Sequence, residues 1–174
     1  MNTRGLLFFC GAMLVATAAP AQVTKETVPG IVNFSKVETT VACAGATTPA
    51  ALVEVKKMGY KSVVNLRTAS EAGAQIEEEA AAAKAAGINY IHLPFNAASP
   101  DPMLVDNFLK AITNKANEPA FIHCASANRA AALWMVKRIA VDKWDVERAS
   151  VEASALGLTN PTLKAFAIEQ AQKR

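Results

Sequence analysis

Between residues 48 and 140 short apolar runs alternate with stretches of helical periodicity. No other feature of the chain constrains its fold as much. A strand followed by a helix and another strand rejoins the sheet in parallel, with the helix packed on one face. The runs 61–66, 88–93 and 120–123 read as buried strands. Residues 31–41, with β-branched and aromatic side chains, read as one or two more. A helix is expected from Thr48-Pro49 to near Gly59, and another from Ser70 through the Ala-rich stretch to Gly87. Leu104, Val105, Phe108, Leu109 and Ile112 mark one face of a third. A fourth carries Leu133, Val136 and Ile139. Asp145 opens a fifth, ending at Gly157, and Asn160-Pro161 a sixth. The expectation is an α/β domain of three layers: a mostly parallel, four- to five-stranded sheet with helices on both faces.

The 174 residues suffice for one such domain with a real core and are too few for two. A composition 52% apolar and 19% charged excludes a disordered chain. Part of the apolar excess lies at the N-terminus. Arg4 precedes an uncharged apolar run, residues 6–16, that is too short to span a bilayer. Ala19-Pro20-Ala21 then has the small-x-small form of a signal-peptidase site. Residues 1–21 are therefore expected to be a signal peptide. Residues 22–30 form a polar lead-in ending in Pro29-Gly30, and residues 31–174 form one domain. Export implies an oxidising compartment, a bacterial periplasm, with no membrane anchor left after cleavage. Cleavage removes one base, Arg4, and no acid, so the net charge falls from +3 to +2. The bases are scattered and aromatic residues make up only 6%, which argues against a nucleic-acid surface.

Two cysteines remain, Cys43 and Cys124, too few for a disulfide framework. Cys43 reads as a small buried residue near a strand end. A Cys43–Cys124 disulfide is the sharper alternative in an oxidising compartment. Cys124 stands where the 120–123 strand ends. Ala125, Ser126, Ala127 and Asn128 follow, then Arg129, then helical periodicity. In a parallel sheet, ligands bind where loops leave the carboxyl ends of strands. A helix starting at such a loop presents free N–H groups and the positive end of its dipole, which attract anions and favour a thiolate. Arg129 adds a planar fork suited to two phosphate oxygens.

The run His123-Cys124-Ala125-Ser126-Ala127-Asn128-Arg129, between strand and helix, resembles the signature of the cysteine-dependent protein tyrosine and dual-specificity phosphatases. The closest resemblance is to small bacterial phosphatase-like domains of the kind fused to NAD kinase or to β-lactamase-like hydrolases. Val63-Val64-Asn65-Leu66-Arg67-Thr68 is similar to a strand end of that group. Ala44-Gly45-Ala46-Thr47-Thr48-Pro49 is similar to its turn before the first helix, and Ile91-His92-Leu93-Pro94 to another strand end. The resemblance implies a phosphatase-like three-layer fold and two-step phosphoryl transfer. Cys124 is then the nucleophile. Arg129 and the backbone of Ala125, Ser126, Ala127 and Asn128 bind the phosphoryl oxygens of a phosphorylated or other anionic substrate. No metal or organic cofactor is required. His123 is implied to orient the loop from within the core.

The chain departs from that pattern in three ways. Four residues separate Cys124 from Arg129, where the usual loop has five, and this loop size is close to that of rhodaneses. The loop has no glycine, so Asn128, which tolerates the left-handed region, is expected to supply a positive φ. Ala130 replaces the hydroxyl residue that follows the arginine in the family. For a general acid, the loop 94–102 offers one carboxylate, Asp101, whose position before Pro102 and an apolar helical run favours capping over catalysis. Arg67 is read as a substrate contact or a structural hydrogen-bond donor, and Glu77-Glu78-Glu79 as a solvated helix face. Rhodanese-like sulfur transfer and anion binding without turnover stand as alternatives to phosphatase activity.

Overall fold

The computed structural model of the protein describes residues 23–174, so the signal-peptide reading of residues 1–21 lies outside the described residues. Six strands form one sheet: β1 (Val23–Lys25), β2 (Ser35–Val37), β3 (Val41–Ala44), β4 (Ser62–Asn65), β5 (Asn89–His92) and β6 (Ala120–His123). Their order is β1-β2-β3-β6-β4-β5. The β3-β6-β4-β5 portion is parallel, and β1 and β2 add an antiparallel edge. The sheet thus exceeds the expected four to five strands. The extra strand, β1, lies in the segment read as a lead-in. Three residues, Val23-Thr24-Lys25, carry no periodicity of their own, and only pairing with β2 makes them a strand.

The central strand β6 explains the layering. Successive side chains on a strand point to opposite faces. Ala120, Ile122 and then Cys124 join one core cluster, and Phe121 joins the other. Strand β3 splits likewise, with Cys43 on the first face and Ala42 and Ala44 on the second. Fully burying Phe121 and Ile122 stabilises the fold by about 1.5–3 kcal/mol each. One face is covered by α1 (Leu52–Lys57) and α2 (Ile76–Ala86). The other is covered by α3 (Leu104–Thr113), α4 (Asn128–Ala140), α5 (Val146–Ala155) and α6 (Pro161–Gln172). Helix α4 is buried nearly all round from Ala130 to Val136, as expected of a helix inside a core rather than on it.

Most helix signals act as the sequence suggests. Pro49 opens a short 3-10 turn that runs into α1, and Asn160 accepts hydrogen bonds from Thr162 and Leu163 at the start of α6. Helix α2 differs. It begins at Ile76, not Ser70, because residues 67–75 form a turn whose carbonyls bond to Arg67 instead of continuing a helical ladder. Glu79 also differs. Glu77 and Glu78 are exposed, but Glu79 faces inward and is buried.

Candidate active site

The loop that follows β6 lies at the carboxyl end of the parallel strands. Cys124 N donates to Ala44 O, the last bond of the β3–β6 ladder. Ala125 O then accepts from Ala46 N at 2.9 Å, and Ser126 bridges to Gly45. This close approach requires glycine at 45. A Cβ there would lie 3.1 Å from both Ala125 O and Val32 O. Ala127 takes φ 77° and ψ −17°, the left-handed region, just before α4. The positive φ expected at Asn128 is thus supplied by Ala127, at roughly 1–2 kcal/mol for a residue with a Cβ. Gly157, at the end of α5, packs behind it with room for no side chain: an added Cβ would come 3.2 Å from that of Ala127.

Asn128 is instead the first residue of α4 and a brace. Its Oδ1 accepts from Thr159 N at 2.8 Å and Asn160 N at 2.9 Å, and its Nδ2 donates to Ser126 Oγ at 3.3 Å. The α5–α6 turn is thereby tied to the loop. A cavity of about 540 Å³ beside the loop is lined by Ser126, Asn128, Asn33 and Thr159, but not by Cys124 or Arg129. Its position marks a neighbouring groove rather than the reacting centre.

Cys124 has no exposed surface and faces the α3–α6 side of the sheet. Arg129, in the first turn of α4, reaches back beneath the loop. Its Nη1 donates to Glu71 Oε1 at 2.7 Å, Phe95 O at 2.8 Å and Leu66 O at 3.2 Å. Its Nη2 donates to Glu71 Oε2 at 2.7 Å. Glu71 therefore grips the outer, Nη1–Nη2 edge of the guanidinium in bidentate fashion. The Cys124 sulfur is a further neighbour of this guanidinium. Burial alone would lower the Arg129 pKa, but the Glu71 hydrogen bonds and the neighbouring sulfur outweigh it and raise the pKa. Burial pulls the Glu71 carboxyl up, yet hydrogen bonds from Arg129 and Thr68 N bring it down to about 2. Glu71 is thus ionised and has no proton to give.

The sequence reading gave Glu71 no role, because a helix was expected from Ser70 onward. The spacing Thr68-x-x-Glu71, the form of a capping box, was the available signal. Thr68 N donates to Glu71 Oε1 at 2.8 Å. Arg67, left open between substrate contact and structural donor, serves the turn. Its Nη1 donates to Gly73 O at 2.8 Å, its Nη2 to Ala72 O at 2.6 Å, and its Nε lies 3.5 Å from Glu71 Oε2.

His123 points away from Cys124. It stacks on Phe121, and its Nε2 lies 2.6 Å from Glu79 Oε1 in a buried contact. Glu79 Oε2 accepts from Asn65 Nδ2, which also donates to Tyr90 Oη. This network joins β6, β4, β5 and α2 and explains the burial of Glu79. Asp101 is exposed, and its Oδ1 accepts from Met103 N at 2.7 Å, in front of α3. Cys43 and Cys124 are free thiols. Burial first, then the Cys124 and Glu152 charges, push the Cys43 thiol well up, so it stays protonated. Among the described residues no group of three or more His, Cys, Asp or Glu is placed to hold a metal ion.

A strand, a tight cysteine loop, an arginine and a helix N-terminus on a three-layer α/β domain define the protein tyrosine phosphatase-like class. Within it, the profile of the beta-lactamase hydrolase-like protein, phosphatase-like domain, matches residues 33–141, and the chain belongs to that family. Comparison with curated proteins gives no match. Among solved structures, a DUF442 protein of Shewanella putrefaciens CN-32 is similar with a TM-score of 0.69 and 19% identity, over 83% of this chain and 92% of that one. TpbA of P. aeruginosa is similar with a TM-score of 0.66 and 20% identity, over 90% and 92%. The core catalytic domain of the PP-IP phosphatase SIW14 of S. cerevisiae is similar with a TM-score of 0.67 and 16% identity, over 84% and 93%. At these identities the likeness is one of fold.

Proposed function

We propose that the protein is a cysteine-dependent phosphatase of the tyrosine or dual-specificity type, acting on phosphate monoesters. The observation that carries this reading is the placing of Arg129. Glu71 holds its guanidinium through Nη1 and Nη2, with Cys124 as a neighbour, at the N-terminus of α4. In the first step the Cys124 sulfur attacks phosphorus; the S–P bond forms as the P–O bond to the leaving group breaks. The guanidinium and the loop N–H groups of residues 125–129 hold the equatorial oxygens. Water then attacks phosphorus, the P–S bond breaks, and inorganic phosphate leaves with the thiolate restored. An anionic ligand fits this reading: TpbA has been solved with phosphotyrosine and the SIW14 domain with citrate. With residues 1–21 read as a leader, we propose that the reaction takes place in a periplasm, with both thiols kept reduced.

Neither nearby carboxylate supplies a proton to the leaving group. Glu71 is ionised against Arg129, and Asp101 is exposed, with its Oδ1 accepting from Met103 N ahead of α3. Rates should therefore follow leaving-group acidity, with p-nitrophenyl phosphate turned over faster than phenyl phosphate and alkyl phosphates slowest. The test is p-nitrophenyl phosphate hydrolysis by the reduced protein beside Cys124→Ser. Activity lost in the variant supports the proposal. No turnover by fully reduced protein sinks it. Cys124's complete burial favours the second reading, anion binding without turnover, which inorganic phosphate binding by inactive protein would then support. Thiocyanate formed from thiosulfate and cyanide would instead indicate sulfur transfer.

A further inference from the structure

The turn 67–73 acts on the anion site through Arg129. Six bonds converge there. Arg67 fixes Ala72 O and Gly73 O, Thr68 N and Oγ1 fix Glu71 Oε1, and Glu71 fixes both terminal nitrogens of Arg129. Behind the turn, His92 Nε2 lies 2.8 Å from Arg67 O, which anchors it to β5. An arginine side chain free to rotate loses rotamer entropy when it is immobilised. Here that ordering precedes the arrival of any ligand. Charge points the same way. A single Glu71–Arg129 pair would be neutral and would attract a phosphate dianion weakly. With Arg67 beside Glu71 at 3.5 Å, two guanidinium groups share one carboxylate, and the cluster keeps an excess positive charge.

We infer that Arg67, acting through Glu71, is a positioning residue that fixes the orientation of the Arg129 guanidinium and keeps the cluster positively charged for an oxyanion. The inference rests on the reading of the loop as an anion site, but it does not require turnover. It also decides between two roles for Glu71. A positioning carboxylate raises anion affinity, whereas a carboxylate competing with substrate for Arg129 lowers it.

The experiment is a double-mutant cycle read by binding of inorganic phosphate to the reduced protein, with p-nitrophenyl phosphate KM and kcat measured alongside. Far- and near-UV circular dichroism and thermal midpoints control for folding. Glu71→Gln and Arg67→Met are each expected to weaken phosphate binding about tenfold, or about 1.4 kcal/mol. Arg67→Lys keeps the charge but has no fork to span two carbonyls, and should recover part of the loss. The double variant should bind about as weakly as Glu71→Gln alone, because Arg67 works through Glu71. KM should rise by the same factor as the phosphate dissociation constant. Tighter phosphate binding by Glu71→Gln, fully additive losses, or unchanged affinity in folded Arg67→Met would each overturn the inference. Failure of the phosphatase reading shows separately, as binding without turnover in the wild type. A wild type that does not bind phosphate would overturn both.

Discussion

Helix α4 carries an arginine cluster at each end, and the two are built to opposite specifications. At the C-terminal end, Arg138 spends every donor nitrogen on carboxylates. Nε and Nη2 go to Glu152, Nη1 to Asp142, and Nη2 also to Glu38, all between 2.7 and 3.1 Å. Its guanidinium also lies against the faces of Trp134 and Trp144, with centroid distances of 4.7 and 4.1 Å. Burial would lower its pKa, but the Glu152 and Asp142 hydrogen bonds outweigh that and drive it up. At the N-terminal end, Arg129 and Arg67 share one carboxylate, and Arg129 has a cysteine as neighbour. Three acids around one arginine make a saturated brace. Two arginines around one acid leave an excess of positive charge. The same residue type on the same helix is thus neutralised at one end and, under the proposed function, left to bind an anion at the other, and the difference is donor saturation, not burial.

Exchanging methionine for each arginine would separate the two most sharply. Arg129→Met should lower kcat/KM for p-nitrophenyl phosphate by about 10²–10³-fold while the protein stays folded, since a charge-stabilising donor is lost. Arg138→Met should lower the urea unfolding free energy by about 3–5 kcal/mol, because it strands the buried Glu152, with turnover per folded molecule nearly unchanged. If the two variants lose stability and activity in the same proportion, the contrast between the ends of α4 is wrong. A smaller effect is expected for Trp134→Phe. It removes the Nε1–H bond to Glu152 at 2.7 Å and should cost about 1–3 kcal/mol of stability with no change in KM.

Acid sharpens the comparison further. The Glu71 pKa is lowered from 4.5 to about 2 in the folded protein. Its contribution to stability is therefore complete above pH 4.5 and lost as the pH falls through about 2. The stability gap between wild type and Glu71→Gln, measured by urea unfolding, should be flat at neutral pH and close across that window. A gap that closes near pH 6 would place the titration elsewhere. The least effect is expected from Asp101→Asn. Asparagine keeps an exposed Oδ1 that can accept from Met103 N, so stability should shift by less than about 0.5 kcal/mol and turnover by less than about twofold. A large loss of turnover in that variant would restore Asp101 as a general acid.

Much of this was legible in the chain. The alternation from Thr48 to Ala140 announced the parallel sheet, and Phe121-Ile122-His123-Cys124 announced a central strand ending at the loop, because buried parallel strands read as unbroken apolar runs. The strand β1 was not legible, since its order comes from its partner. Glu79 was read as solvated because acidic residues in an Ala-rich helix usually are, and Glu71 was given no role. Their partners, His123 and Arg129, lie 44 and 58 residues away, and no local pattern records such a pair. For the same reason the positive φ was assigned to Asn128 on intrinsic tolerance, whereas the close packing of Gly157 and Gly45 on the loop puts it at Ala127.

The sequence by itself determined the layers, the central strand, and the coincidence of Cys124, Arg129 and a helix start, because these depend on short-range periodicity and on the chemistry of neighbouring residues. Only the tertiary structure decided which carboxylates hold Arg129 and which hold Arg138. Those properties belong to hydrogen bonds between segments far apart in the chain, and folding alone brings the segments within reach.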